Sequence, residues 1–186
     1  MAKRVLSAML SVILVATLAL VSAPAASATP SVSRAKLKSV ASKVEYETVG
    51  GSNYGHYKKT SPYNRQLNWT KDGCSVPTKL EIVTLGISPA TFGLMKLYEH
   101  VFKSSCDRHD FGYRNYGKNT STPGPHPKLD PTRARKNGID SKFYSNMKVQ
   151  CERDYGTFNP ARYMCKGAAY GFYLAVKKKA DKAFFG

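Results

Sequence analysis

Four cysteines, Cys74, Cys106, Cys151 and Cys165, all lie downstream of an export signal, and that combination constrains the fold more than any other feature of the chain. Residues 1–28 read MAKRVLSAMLSVILVATLALVSAPAASA. Lys3 and Arg4 precede an apolar run that ends in Ala26-Ser27-Ala28, the pattern of a secretory signal with cleavage expected after Ala28. A membrane anchor is the competing reading, and Pro24 with the small residues around it favours cleavage. Export into an oxidising compartment makes two disulfides the default use of four cysteines, with three connectivities open. Zinc is disfavoured, because no C-x-x-C spacing and no H-x-x-x-H accompanies the cysteines. Removing 28 of the 186 residues leaves 158, a length suited to one domain.

Charge narrows the partners. Two basic residues leave with the signal, so the net charge falls from +17 to +15. A chain this basic is expected to meet an anionic partner: nucleic acid, an anionic lipid surface or an acidic cell-wall polymer. Charge alone does not choose between them.

The apolar spacing predicts an all-α chain. Residues 29–46 are polar and basic, with Leu37, Val40 and Val44 at helical intervals, so they read as an N-terminal helix or a pro-segment. Residues 49–70, rich in Gly, Asn, Ser and Tyr, read as irregular. Asp72-Gly73 marks a turn. Ser88 and Pro89 open a helix through Phe102. A second is expected over 104–116, with Gly117 at its end. Residues 119–138 carry four prolines and read as a long loop. A third helix begins near Ile139 and puts Asp140, Phe143, Tyr144, Met147 and Cys151 on one face. A fourth runs over about 163–184, with Cys165, Ala169, Phe172, Val176 and Ala180 inward and Lys177, Lys178 and Lys179 solvated. No strand alternation and no internal repeat is present.

Two of these faces carry chemistry. In the second helix Cys106, His109, Asp110 and Tyr113 stand at i, i+3, i+4 and i+7. In the third, Asp140 opens an otherwise apolar stripe, where a carboxylate is costly without a partner. His109 is the evident partner if the two helices pack antiparallel. Asp140 then orients one ring nitrogen and leaves the other to accept a proton. On spacing alone, a satisfied buried His–Asp pair is the commoner outcome. No G-x-S-x-G is present and the cysteines are expected to be bridged, so the nucleophile of any hydrolysis here is water. Water attack on an ester also needs the developing negative charge to be held, which a metal ion does. The oxygens of Asp72, Gly73 and Asp110 suit calcium, although an ordinary Asp-Gly turn explains residues 72–73 equally well.

The runs CDRHDFGYRNYG and IDSKFYSNMKVQC resemble the secreted phospholipase A2 family of bacteria and fungi, over about Trp69 to the C-terminus. The resemblance implies a small, disulfide-bonded, all-helical, calcium-dependent lipase in which His109 and Asp140 form the catalytic dyad and activate water. It places calcium on Asp72, the Gly73 carbonyl and Asp110. It implies the bridges Cys74–Cys106 and Cys151–Cys165. The expected activity is hydrolysis of the sn-2 ester of glycerophospholipids by a monomeric catalytic domain spanning 47–186. Its substrate is a phospholipid surface, drawn by lysines such as Lys58, Lys59 and Lys177 to Lys179, with no nucleic acid expected. The chain departs from the smallest bacterial members in a longer Cys74–Cys106 interval. Its proline-rich loop offers Asp130 as a second partner for His109, disfavoured by its place before Pro131. The alternative reading is a non-catalytic, basic secreted protein that binds nucleic acid or anionic cell-wall polymer. YGHYKKTSPYNRQLNW interleaves aromatics with Lys58, Lys59 and Arg65, but no nucleic-acid module signature is visible. A His–Asp metal phosphohydrolase lacks ligands, since His56, His100 and His126 follow no ligand pattern.

Overall fold

Ser33, Thr78, Ser88, Thr132 and Asn159 each begin a helix by accepting a backbone N–H through the side chain, which satisfies one of the donors a helix start leaves open. The computed structural model describes residues 31–186, so the expected signal at 1–28 and its cleavage point lie outside the described residues. In chain order the helices are α1 (Arg34–Tyr46), α2 (Asn53–Lys59), α3 (Tyr63–Gln66), α4 (Lys79–Leu85), α5 (Pro89–Tyr98), α6 (Lys103–Tyr116), α7 (Arg133–Asp154), α8 (Pro160–Lys179) and α9 (Asp181–Phe185). Among the described residues there is no strand, and the all-α expectation holds.

Five boundaries differ from those read in the sequence, one of them being α5, which ends at Tyr98 and not at Phe102. The stretch read as irregular contains α2 and α3. Its sequence lacks apolar periodicity, and α2 is held by contacts from outside the helix instead. The Glu47 carboxylate accepts the N–H groups of Asn53 and Tyr54, and Tyr54 packs edge-on against Trp69 and Phe111. α4 carries a capping box between Thr78 and Glu81 and ends at Gly86, whose φ of +66° is left-handed. α7 begins at Arg133, not near Ile139, because Thr132 caps it directly after Pro131. The last helix breaks at Ala180, where α9 turns back so that the Phe184 carbonyl accepts from Lys118 and Asn119.

Two apolar clusters form. The first gathers Ile82, Met95, Phe102, Met147, Ala169 and Phe172. The second gathers Leu37, Val44, Phe111, Tyr116, Ile139 and Phe184, so α1 is one of its walls. α6 and α7 contribute to both. Their contacts run in opposite order, Ser105 to Gln150, His109 to Phe143 and Gly112 against Ile139, so the two helices are antiparallel. The bridges Cys74–Cys106 and Cys151–Cys165 form as the resemblance implies, and both belong to the first cluster. His109 and Asp140 fall at the seam between the clusters.

Gly112 sets how closely α6 and α7 approach. A Cβ there would lie 2.9 Å from Ile139 Cγ2 and 3.3 Å from its Cγ1 and Cδ1, and Ile139 is only 1% exposed. Gly112→Val is therefore expected to lower stability by about 1–3 kcal/mol through overpacking, read as an earlier midpoint in urea unfolding.

Candidate active site

Asp140 is 1% exposed and its two oxygens are fully engaged. Oδ1 lies 3.0 Å from His109 Nε2 and accepts from the Tyr113 hydroxyl at 2.7 Å. Oδ2 accepts from Lys136 Nζ at 2.8 Å. Burial alone would raise this carboxyl, but the hydrogen bond from His109, the charge of that ring and the bonds from Lys136 and Tyr113 together hold it below the usual carboxylate range. Burial and the nearby Asp140 push the Tyr113 hydroxyl well up, so it stays a donor. The imidazole is clamped between rings, with Tyr113 at 4.2 Å and Phe143 at 4.6 Å between centroids. Its Nδ1 makes no protein hydrogen bond among the described residues. Asp130, the second candidate partner, is elsewhere, held by Lys38 at 3.0 Å and by Thr132 and Arg135.

The Asp72–Gly73 turn meets the same helix one residue further on. Asp110 Oδ2 accepts the N–H groups of Asp72 and Gly73, each at 3.1 Å. Gly73 has φ +78°, a left-handed value that glycine adopts freely. The Cys74–Cys106 bridge fastens the turn to α6 just below. Arg114 Nη2 lies 3.2 Å from Asp72 Oδ1, its Nη1 lies 3.7 Å from Asp110 Oδ2, and it donates to the Thr70 carbonyl. Burial raises the Asp110 carboxyl to about 7, with the hydrogen bond and charge of Asp72 adding to it and Arg114 opposing.

Among the described residues no three His, Cys, Asp or Glu side chains gather as a metal site. The Asp72 and Asp110 carboxylates and the Gly73 carbonyl are nonetheless hard oxygen donors of the kind calcium takes alongside water. The Arg114 guanidinium beside both carboxylates shows that this corner attracts positive charge, so the residues fit a hard cation.

Asp72, Gly73, His109, Asp110 and Tyr113 share the lining of one cavity of about 210 Å³. Its apolar wall comes from Phe143 on α7, Phe172 and Val176 on α8, and Ala180 and Ala183 at the end of the chain. Lys136, in a stretch whose prolines read as a loop, and Arg114 are site residues that the sequence pattern does not single out. The signal for Lys136 was its place four residues before Asp140, on the same helical face, once Thr132 is recognised as a cap.

With this geometry in view, the chain belongs to the prokaryotic phospholipase A2 family, whose pattern matches residues 46–180. It is 33% identical over 111 residues to a secretory phospholipase A2 of Beauveria bassiana (strain ARSEF 2860). That match covers 60% of this chain and 43% of the fungal protein, so the chain spans less than half the length of this curated relative. No solved structure matches it. The family match starts at Tyr46, so α1 lies almost wholly before it.

Behind His109 a small cavity of about 10 Å³ is walled by Glu45, Arg108, Ile139 and Asn146. Glu45 is 2% exposed, and neither of its carboxyl oxygens has a hydrogen-bond partner. Burial pushes its carboxyl up to about 7 from 4.5, against the opposing charges of Arg135 and Lys142. A raised carboxyl binds its proton in the folded state where the unfolded chain has lost it. Its contribution is therefore fully present below about pH 4.5 and lost as pH rises through about 7. Glu45→Gln is expected to flatten this fall and to leave the variant more stable than wild type at pH 8, by up to about 3 kcal/mol, in urea unfolding followed at several pH values.

Proposed function

We propose that the protein is a secreted, calcium-dependent phospholipase A2 that hydrolyses the sn-2 ester of glycerophospholipids. The observation that carries this is the hydrogen bond from His109 Nε2 to buried Asp140, formed in the same cavity as the Asp72–Gly73 turn and Asp110. With Nε2 committed to Asp140, Nδ1 is the nitrogen left to take a proton from water in the cavity. The oxygen of that water forms a bond to the ester carbonyl carbon. The tetrahedral intermediate then breaks its bond to the glycerol oxygen, and His109 returns the proton to that leaving oxygen. A free fatty acid and a lysophospholipid result. Asp140 keeps the ring in one orientation and stabilises its charged form, and Tyr113 and Lys136 keep Asp140 ionised.

The Asp72 and Asp110 carboxylates and the Gly73 carbonyl would hold calcium, which supplies polarisation of the ester carbonyl and charge to offset the oxyanion. Arg114 Nη2, 3.2 Å from Asp72 Oδ1, is the cation that calcium would displace there. Phe143, Phe172, Val176, Ala180 and Ala183 give the acyl chain a dry surface. Exposed Lys177, Lys178 and Lys179 stand beside this wall at the end of α8 and draw the enzyme onto anionic lipid. Export through the 1–28 signal, a catalytic domain over 47–186 and a monomeric state complete the reading. The two bridges suit an exported chain, and among the described residues no helix is long and apolar enough to cross a membrane.

The test is fatty-acid release from mixed phosphatidylcholine and phosphatidylglycerol vesicles, with calcium and with excess chelator. Wild type is expected to free the sn-2 chain only with calcium, and His109→Ala to lower the rate by about 10²- to 10⁴-fold. Folded His109→Ala retaining most of the activity would overturn the mechanism. No release by folded, disulfide-intact wild type under either condition would favour a basic binding protein instead.

A further inference from the structure

We infer that Lys136 is a positioning residue for the ester hydrolysis proposed above: it fixes the Asp140 carboxylate, and through it the His109 ring, against the helices that wall the cavity. The inference rests on that reading of His109 and Asp140.

Lys136 is 1% exposed, one turn before Asp140 on α7. An ammonium group has three N–H donors and no acceptor. Three oxygens stand around this one: Asp140 Oδ2 at 2.8 Å, the Val176 carbonyl at 3.2 Å and Asp181 Oδ1 at 3.5 Å. The Tyr113 ring lies beneath it, 5.8 Å from Nζ to the centroid. The groups facing Lys136 and Asp140 therefore come from four helices: His109 and Tyr113 of α6, the two residues themselves on α7, the Val176 carbonyl of α8 and Asp181 of α9.

A buried ion pair is a poor way to gain stability, since an apolar pair of similar volume is often as good or better. Its presence here has another explanation in how Asp140 is held. Oδ1 already has two donors, His109 and Tyr113, on one side. The Lys136 donor on Oδ2 is what stops the carboxylate from turning about its terminal torsion, which would carry Oδ1 off His109 Nε2. The same ammonium reaches Val176, a cavity-wall residue, and Asp181, which starts the helix bearing Ala183 of that wall. One charge thus sets the distance between the proton-accepting ring and the surface that seats the substrate.

The test is a double-mutant cycle on vesicle hydrolysis with Lys136→Met, Asp140→Asn and the double variant, alongside Lys136→Arg and His109→Ala, with folding checked by near-UV circular dichroism. Lys136→Met is expected to lose about 10- to 100-fold in kcat, the range for removing the partner that orients a functional side chain, with KM within about twofold of wild type. In the Asp140→Asn background the same substitution is expected to change kcat by less than about threefold, because the group it positions has gone. An equal loss in both backgrounds, a loss confined to KM, or no loss would overturn the inference. Should Lys136→Met not fold alone, the double variant is compared with Asp140→Asn, with both charges of the pair removed, and Lys136→Arg with wild type. A double variant no worse than Asp140→Asn, with Lys136→Arg retaining kcat within about tenfold of wild type, supports it. A further loss of about tenfold in the double variant, or of more than tenfold in Lys136→Arg, overturns it. His109→Ala with near-normal activity would sink the His109–Asp140 mechanism on which this inference rests, whereas an inactive His109→Ala beside an unimpaired Lys136→Met would sink only this one.

Discussion

Keeping the Asp140 carboxylate ionised inside a helical core is the constraint around which the molecule is arranged. A buried charge needs donors from several directions. Asp140 takes them from an imidazole, a phenol and an ammonium, contributed by α6 and by its own helix. Each donor needs its own support. His109 lies against the tilted rings of Tyr113 and Phe143, and Lys136 reaches on to α8 and α9. Satisfying one carboxylate therefore fixes the relation of four helices. The close approach at Gly112 is what brings the His109 and Asp140 side chains within reach of each other.

The acidic turn is held by a second device. Asp110 follows His109 on α6 and captures two backbone amides of the Asp72–Gly73 turn, while the Cys74–Cys106 bridge anchors the next residue. Adjacent residues on one helix thus serve two jobs, the ring facing α7 and the carboxylate facing the turn. Arg114, one turn later, balances the negative charge gathered there.

The parts visible in the sequence were those where one short periodicity carried the information. The α6 stripe with His109 and Asp110 and the α7 stripe from Asp140 to Cys151 were legible because inward positions recur at helical spacing. α5 announced itself through Ser88 and Pro89. α2 was not legible, because it is ordered by Glu47 and by the contacts of Tyr54 with Trp69 and Phe111, and α3 is only four residues long. Lys136 was hidden for a related reason. A lysine reads as solvated, and only the fold shows Val176 and Asp181 closing over it. α4 was legible in principle, through Thr78 and Glu81, and its short length masked it.

Both disulfides staple the same half of the protein. Cys74–Cys106 and Cys151–Cys165 lie in the cluster built around Met95, Phe102 and Met147, while the cluster of α1, Phe111, Tyr116 and Phe184 has no covalent tie of its own. His109 sits on the boundary, with the stapled side beneath it at Cys106 and the unstapled side beyond it at Phe111. On warming, the half without cross-links is expected to lose its order first, because burial, hydrogen bonds and ion pairs hold it with no covalent tie. Tyr113 and Phe184 belong to that half, so the support for Asp140 loosens while the cysteine-linked scaffold is still folded. Warming is therefore expected to disturb the surroundings of His109 and Asp140 before the cross-linked half unfolds.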